Sequence, residues 1–183
     1  RIGHGHSGIN PLDAGNVEQA AKLLENHPQE RSALLAAAHE RKKTMVLSLI
    51  QIIRGSSPSD REENVIEAAL TVLENTHANP VLADLLQVVR DAPEPVRMAA
   101  LDRGSLERYK QVTEELEASL MALLNGRLGG IFASATTTPM MMDRSVVFDV
   151  HDMLHEHSDL QAAVLLASWS YGFATVEISQ TLA

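Results

Sequence analysis

The chain has 183 residues, a length that suits one domain, or one domain with an appendage, and that allows a real core. Hydrophobic residues make up 45% of the composition but aromatic residues only 3%, so aliphatic side chains must supply the packing and helix is favoured over sheet. The formal net charge of −9 argues against an autonomous DNA-binding protein, because phosphate contacts demand a basic surface. Cysteine is absent, which excludes disulfides and cysteine-based metal sites.

The N-terminal segment, residues 1–15, reads RIGHGHSGINPLDAG. It is rich in glycine and contains Asn10-Pro11, a pattern typical of a loop or of the exit from a strand. No stretch of the sequence reaches the roughly 18 uninterrupted apolar residues of a membrane span, and no secretory signal pattern is present. Because the sequence opens with Arg1 rather than Met, we expect it to be a cleaved product or a fragment of a longer protein.

About six helices are predicted in succession between residues 16 and 125. Asn16 can cap the first helix, Pro28 opens the second, and Gly55 is expected to end the second. The charged run ERKK at 40–43 is a place where the second helix could bend or break. Its apolar stripe consists of Leu34, Leu35, Ala38, Met45, Val46, Leu49, Ile50 and Ile53.

The later helices carry clear start and stop signals. Ser59 and Glu62 match a capping box, in which each residue satisfies a backbone donor of the other. Asn79-Pro80 is expected to start a shorter helix, and a further short segment closes at Gly104. The last helix of this group is predicted over 105–124, with an Asn-Gly stop pair directly after it.

Residues 126–153 break the helical pattern with glycines, threonines and a run of methionines. Within them, the segment SVVFDV at 145–150 is β-branched and aromatic and has the length of a buried strand. A largely apolar helix is predicted after it, over 160–180. A single strand leaves its backbone groups unpaired, so this one either joins a sheet supplied by distant residues or belongs to a sheet outside the chain.

Two histidines form a candidate metal site. His151 and His155 are four residues apart, so on a helix they share a face and could hold Zn²⁺ or Ni²⁺. The order of a zinc protease motif is not present, because Glu156 follows the second histidine. Adventitious metal binding by the pair is the alternative interpretation.

The basic cluster Arg41, Lys42 and Lys43 is either a solvated helix surface or a contact for a polyanion. Phosphate binding of the P-loop kind is not expected, since the pattern G-x-x-x-x-G-K-[ST] is absent and the glycine-rich stretches lack its lysine. Neither is a serine-hydrolase elbow of the form G-x-S-x-G present.

Three segments taken together resemble a known family. GINPLDAG near the start, LLNGRLGGIF at 123–132 and VVFDVHDML at 146–154 occur in this order, with about a hundred residues of predicted helix between the first two. The arrangement resembles the conjugation and type IV secretion traffic ATPases of the FtsK–HerA branch, especially their actinobacterial members. In that family an all-helical subdomain interrupts a RecA-like α/β core after the Walker A region.

The resemblance implies roles for particular residues. Asn10 and Pro11 look like the exit from the core, and Asp149 ends the strand that re-enters it. Where the family tends to have an acidic residue after the return-loop phenylalanine, this chain has Ala133 and Ser134, so no role follows there. The return loop is carried by Gly126, Gly129, Gly130 and Phe132, and the strand by Val147 and Phe148.

The expected fold class is therefore mainly α, a bundle of about six to eight helices with one short strand returning to an absent RecA-like core. Residues 1–15 would be the core-exit loop, 16–125 the all-helical subdomain, and 126–183 the return loop, strand and apolar helix. Neither Walker motif lies in the chain, so no cofactor is expected in it, while ATP and Mg²⁺ would bind the parent.

The resemblance also implies a hexameric parent that works with secretion or conjugation machinery and in some cases with nucleic acid. Its place would be the cytoplasm, with or without peripheral contact to the inner face of the membrane. The helical part would contact subunits, partners or substrate and would not be catalytic alone. The alternative is a stand-alone helical interaction module that self-associates through its apolar C-terminal helix.

Overall fold

The computed structural model describes residues 10–13 and 17–125. This part of the chain is mainly helical and contains no strand, so the predicted helical bundle is confirmed. None of its helices is both long and apolar enough to cross a bilayer. The six helices are α1 (Val17–Leu23), α2 (Pro28–Arg54), α3 (Asp60–Thr76), α4 (Leu82–Asp91), α5 (Glu94–Ala99) and α6 (Leu106–Asn125).

Two apolar cores hold these helices together. The larger one unites the C-terminal half of α2 with α3, α4, α5 and α6, and many of its leucine, valine and isoleucine side chains are fully buried. The smaller one lies between α1 and the N-terminal half of α2. Apart from Tyr109 in the larger one, aliphatic and other non-aromatic residues fill both cores, as the low aromatic content predicts. The smaller core consists of Val17, Ala20, Leu24, Leu34 and Ala38.

Helix α2 runs without interruption for 27 residues, so the bend or break considered at the ERKK run does not occur. The charges of that run do not break the helix, because lysine, arginine and glutamate are good helix formers and the lysines find acidic partners. Pro28 opens the helix and Gly55, with φ of 74°, ends it, both as predicted. Leu35 of the predicted apolar stripe is 40% exposed, because α1 covers its neighbour Leu34 and not Leu35 itself.

The predicted capping box at the start of α3 is confirmed. The Ser59 hydroxyl accepts a hydrogen bond from the Glu62 amide at 3.3 Å, and the Glu62 carboxylate accepts one from the Ser59 amide at 2.8 Å. Helix α4 begins at Leu82, two residues later than Pro80 suggests, and the Asp84 carboxylate accepts a hydrogen bond from the Val81 amide there.

A junction of α2, α3 and α6 is built around one buried ion pair. Arg54 of α2 donates from both terminal nitrogens to the Glu62 carboxylate, at 2.8 and 2.9 Å. The same guanidinium donates to the Ser119 hydroxyl of α6 at 2.9 and 3.1 Å. The side chains of Arg54 and Glu62 are only 18% and 7% exposed, so the pair lies largely out of water. Glu62 thus caps α3 and also ties it to two other helices.

The segment Met98–Leu106 forms a tight corner between α5 and α6, here called the α5–α6 corner. Leu101 and Arg103 have φ of 56° and 54°, a left-handed conformation that costs non-glycine residues about 1 kcal/mol each. The buried Asp102 carboxylate holds the corner by accepting hydrogen bonds from Arg97 and from the Gly104 amide. These bonds lower the pKa of Asp102, chiefly through Arg97. The corner therefore has a fixed shape despite its unfavourable backbone.

Tyr109 of α6 anchors that helix to α4, and its hydroxyl donates to the Val89 carbonyl at 2.5 Å in a buried environment. Replacing Tyr109 with phenylalanine is expected to lower the free energy of unfolding by about 1 to 2 kcal/mol, because the buried carbonyl loses its donor. Urea unfolding of the two proteins measures this difference. An unchanged urea midpoint would mean that water replaces the hydroxyl.

The ionisation of Tyr109 gives a second check. Burial, with the nearby charges of Glu117 and Asp102, raises the pKa of Tyr109 to about 12. The stability that this shift contributes is present below the unfolded value near 10 and is lost as the pH rises through the folded value. In an absorbance titration of tyrosinate, the Tyr109→Phe variant is expected to lack a transition near pH 12.

Candidate functional site

Polar side chains of α2 and α3 meet along one side of the bundle, in a cluster here called the α2–α3 ionic face. Helix α2 contributes His39, Lys42 and Lys43, and helix α3 contributes Glu67 and Glu74. The α2 residues recur at helical spacing, as do the glutamates, so each set lies on one side of its helix. The connection of the two helices by a short loop brings these sides together.

His39 lies at the centre of the α2–α3 ionic face. Its Nδ1 is 2.8 Å from a Glu74 oxygen and its Nε2 is 2.8 Å from a Glu67 oxygen. A neutral imidazole has one donor and one acceptor, whereas two carboxylates offer only acceptors. The geometry therefore suits the imidazolium, in which both ring nitrogens donate. The His39 side chain is 15% exposed, so this positive charge is largely shielded from water.

The pKa of His39 depends on two opposing effects, burial and the neighbouring carboxylates. Burial alone would lower the pKa of His39, but the hydrogen bonds and charges of Glu74 and Glu67 outweigh it and leave the pKa raised. In turn the pKa of Glu67 is lowered, since the bonds from His39 and Lys43 outweigh the effect of its burial. Both shifts favour the charged forms at neutral pH.

The two lysines of the predicted basic cluster are already paired with acidic residues. Lys42 donates to Glu74 at 3.1 Å, and Lys43 lies 3.0 Å from Glu40 and 3.2 Å from Glu67. Their side chains are 14% and 18% exposed. Arg41 is partly buried, with Nε and Nη2 out of contact with solvent, and this burial lowers its pKa. A polyanion at residues 41–43 stays a prediction, and such a ligand would have to compete with the glutamates.

A cleft of about 820 Å³ adjoins the α2–α3 ionic face. Lys42 and Glu74 form part of its wall, together with residues of α1 and of the loop between α3 and α4. Its size falls in the range of small-molecule sites, and its lining is mixed, with amides and charges beside small apolar patches. The wall also carries the polar side chains of Arg31, Asn75, His77 and Asn79.

Asn10 fastens the N-terminal segment to the same region. Its Nδ2 donates to the Pro80 carbonyl at 2.8 Å, and its Oδ1 accepts from the Leu12 amide at 3.0 Å. Asn10 is only 6% exposed, and Leu12 belongs to the larger core. Asn10 and Lys42 both line the cleft. The structure therefore brings the residue predicted to leave the core together with one residue of the predicted basic cluster.

Replacing Asn10 with alanine is expected to lower the free energy of unfolding by about 2 kcal/mol, because the Leu12 amide and the Pro80 carbonyl lose their hydrogen-bond partner. Urea unfolding is the measurement, with Asn26→Ala at an exposed position as the matched control. Equal stabilities of the two variants would mean that the N-terminal segment is not held by this side chain.

The remaining predicted site residues lie outside the described residues. They are Gly126, Gly129, Gly130, Phe132, Asp149, His151 and His155, and the predicted strand at 145–150 lies there as well. Within residues 10–13 and 17–125, no group of three or more histidine and acidic side chains is placed to hold a metal ion.

Sequence reasoning missed the role of His39 and its two glutamates. The signal was present, since His39 precedes Lys42 and Lys43 by one helical turn and Glu67 and Glu74 are seven residues apart. What the sequence lacks is the docking of α2 on α3, which decides whether these charges face each other or water.

Comparison of the chain with protein-family models, with curated proteins and with solved structures finds no match.

Proposed function

We propose that the chain is the helical insertion subdomain of a P-loop traffic ATPase of the conjugation and type IV secretion kind, together with the elements that lead out of and back to the ATPase core. The proposal begins from the resemblance of the segments around Asn10, Gly129 and Asp149. The helical bundle over 17–125 agrees with the all-helical subdomain that this resemblance implies.

The buried anchor at Asn10 is the observation that carries the proposal. A subdomain inserted in a core can respond to that core only if the connecting chain is fixed to it. The Asn10 side chain supplies such a fixed point, since it bonds the N-terminal segment to the α3–α4 loop. A movement of the preceding chain would be transmitted to the α3–α4 loop and to the cleft that this loop lines.

In this proposal the chain contributes contacts rather than chemistry. ATP and Mg²⁺ bind the parent's core, and the helical bundle contacts neighbouring subunits, secretion or conjugation machinery, or the transported substrate. The parent is a hexamer at the cytoplasmic side of the membrane, and nucleic acid is a candidate substrate. The cleft beside Asn10 and Lys42 is the place where a small polar segment of a partner would fit.

Calorimetric titration of ATP·Mg²⁺ tests the proposal, with this chain and with a protein extended in both directions along the reading frame. Binding by the extended protein alone is the expected result. Tight binding by the 183 residues would contradict it, because the chain has no P-loop. Absence of binding in both would favour the stand-alone interaction module.

The stand-alone module is the second candidate, and the α5–α6 corner favours it. Met98 and Leu101 are 68% and 54% exposed, although such side chains usually lie inside. An interaction surface would explain why a fixed and unfavourable backbone presents apolar groups to solvent.

A further inference from the structure

The outer side of α6 carries an exposed stripe opposite its buried one. The buried side chains of α6 recur at alternating steps of four and three residues and face the larger core. They are Tyr109, Thr113, Leu116, Leu120 and Leu123. Positions 107, 111, 114, 118 and 121 follow the same steps and are all exposed. This exposed stripe and the positions that flank it are here called the outer face of α6. Its geometry is that of a helix able to lie along a second helix.

Charges are separated along the outer face of α6. Arg108 and Lys110 lie in the first two turns of α6, after Arg103 of the α5–α6 corner, whereas Glu114, Glu115 and Glu117 lie in its middle turns. A helix dipole favours acidic residues near the N-terminus and basic residues near the C-terminus. Only Glu107 follows that preference, and the last turn of α6 has no basic residue. Arg108, Lys110, Glu114 and Glu115 are exposed, so their charges are accessible to complementary charges on a partner.

Apolar side chains lie near both ends of the outer face. Leu106 is 47% exposed at the start of α6, and Met121 is 39% exposed near its end. Leu101 and Met98 extend the first of these apolar surfaces over the α5–α6 corner. Each end of the outer face therefore offers one large apolar side chain, Leu106 beside the basic residues and Met121 one turn after Glu117.

We propose that the outer face of α6 binds the same face of a second copy of this chain, with the two helices antiparallel and related by a two-fold axis. In this arrangement Arg108 lies opposite Glu115 of the second copy, and Lys110 lies opposite its Glu117. Leu106 then contacts the second copy's Met121. The proposal goes beyond the proposed function and does not depend on an ATPase parent.

The sequence positions support this pairing. Arg108 and Glu115 are seven residues apart and flank the stripe on one side, while Lys110 and Glu117 are seven apart and flank it on the other. In antiparallel helix pairs, side chains on the same flank meet. A parallel, in-register pair would instead place the basic residues of the two copies together and their acidic residues together, which is repulsive. Two-fold symmetric pairs of identical surfaces are the commonest homo-oligomers.

Glu117 already accepts a hydrogen bond from Arg90 of α4 at 2.7 Å, and Arg90 is 40% exposed. In the pair, Lys110 of the second copy would join this existing contact, so that one carboxylate is shared by two cations.

The interface is small and rich in charge, which predicts weak, salt-sensitive association. Moderate salt screens the repulsion between two copies of net charge −9 more than it screens contacts at hydrogen-bond distance.

Analytical ultracentrifugation of the 183-residue chain is the test, across micromolar concentrations at moderate and at high salt. The expected result is a reversible dimer that dissociates at high salt. Two charge-reversed double variants are then measured in the same way. The first combines Arg108→Glu with Lys110→Glu, and the second combines Glu114→Lys with Glu115→Lys. Each is expected to weaken self-association at least about tenfold, since its outer face carries mainly one sign of charge. An equimolar mixture of the two is expected to form a heterodimer.

Matched controls change the same number of charges elsewhere on exposed residues. Lys22→Glu with Arg31→Glu matches the first variant, and Glu18→Lys with Glu25→Lys matches the second. Both controls are expected to dimerise as the unaltered chain does. Thermal unfolding of each variant, followed by circular dichroism, shows whether the variant is folded at the temperature of the ultracentrifugation. Loss of the dimer by a folded variant can then be ascribed to the outer face of α6.

Four results would overturn the proposal. The unaltered chain could be monomeric throughout, the controls could weaken association as much as the α6 variants do, or the mixture could stay monomeric. A dimer that persists in both α6 variants would likewise place the interface elsewhere in the chain.

Discussion

Replacing Glu62 with alanine is expected to lower the free energy of unfolding by about 3 kcal/mol. The substitution leaves the largely buried Arg54 without its carboxylate and also removes the bond from the Ser59 amide that caps α3. Burial alone would raise the pKa of Glu62, but the hydrogen bonds and charge of Arg54 and the Ser59 amide outweigh it and lower the pKa. The pair's contribution is therefore present above the ordinary glutamate pKa and is lost as the pH falls through the lowered value.

Urea unfolding at neutral pH measures the effect, and Glu63→Ala is the control. Glu63 lies in the same first turn but is exposed, so its loss should change stability by no more than about 0.5 kcal/mol. A double variant, Arg54→Met with Glu62→Leu, should be more stable than Glu62→Ala, because no buried charge is left alone. If the single and double variants are equally unstable, the ion pair is not the source of the loss.

Raising the pH from 6 to 9 is expected to destabilise the protein through His39, by about 1 to 2 kcal/mol. The folded pKa of His39 is raised, so its stabilising effect is complete below the unfolded value near 6.5 and is lost as the pH passes the folded value. The partial exposure of Glu67 and Glu74, at 42% and 29%, keeps the expected magnitude modest.

The difference between the unaltered protein and His39→Gln isolates this effect from other histidines. Glutamine cannot carry charge, so the variant should lose stability at pH 6 and approach the unaltered protein at pH 9. His77→Gln serves as control, since His77 is 45% exposed and 4.0 Å from Asp84. Parallel pH profiles for His39→Gln and the unaltered protein would contradict a charged His39.

Local chemistry made part of this fold predictable. Pro28, Gly55 and the Ser59–Glu62 capping box act within a few residues, and each marks a helix end where the sequence places it. The helical class follows equally from composition. The helix start at Leu82 and the exposure of Leu35 depend instead on neighbouring elements, which single-sequence patterns do not contain.

The candidate site was less predictable because its contacts join distant parts of the chain. His39 reaches residues 28 and 35 positions away, and Asn10 reaches a carbonyl 70 positions away. The ERKK run therefore looks like a free basic surface in the sequence, although α3 supplies the counter-charges. The left-handed backbone conformation of Leu101 could not be predicted from the sequence either, because leucine rarely adopts a positive φ.

Helix α2 belongs to both apolar cores, and this gives one helix two different stabilities. Over its length of about 40 Å, its C-terminal half is enclosed by several helices, whereas among the described residues the apolar side of its N-terminal half packs against α1. Partial unfolding can therefore release α1 and the first turns of α2 while the rest of the bundle stays intact. The boundary falls at His39–Lys43, where charges rather than leucines hold α2 to α3. A signal that deprotonates His39 or displaces its glutamate partners would set how far the unfolding spreads.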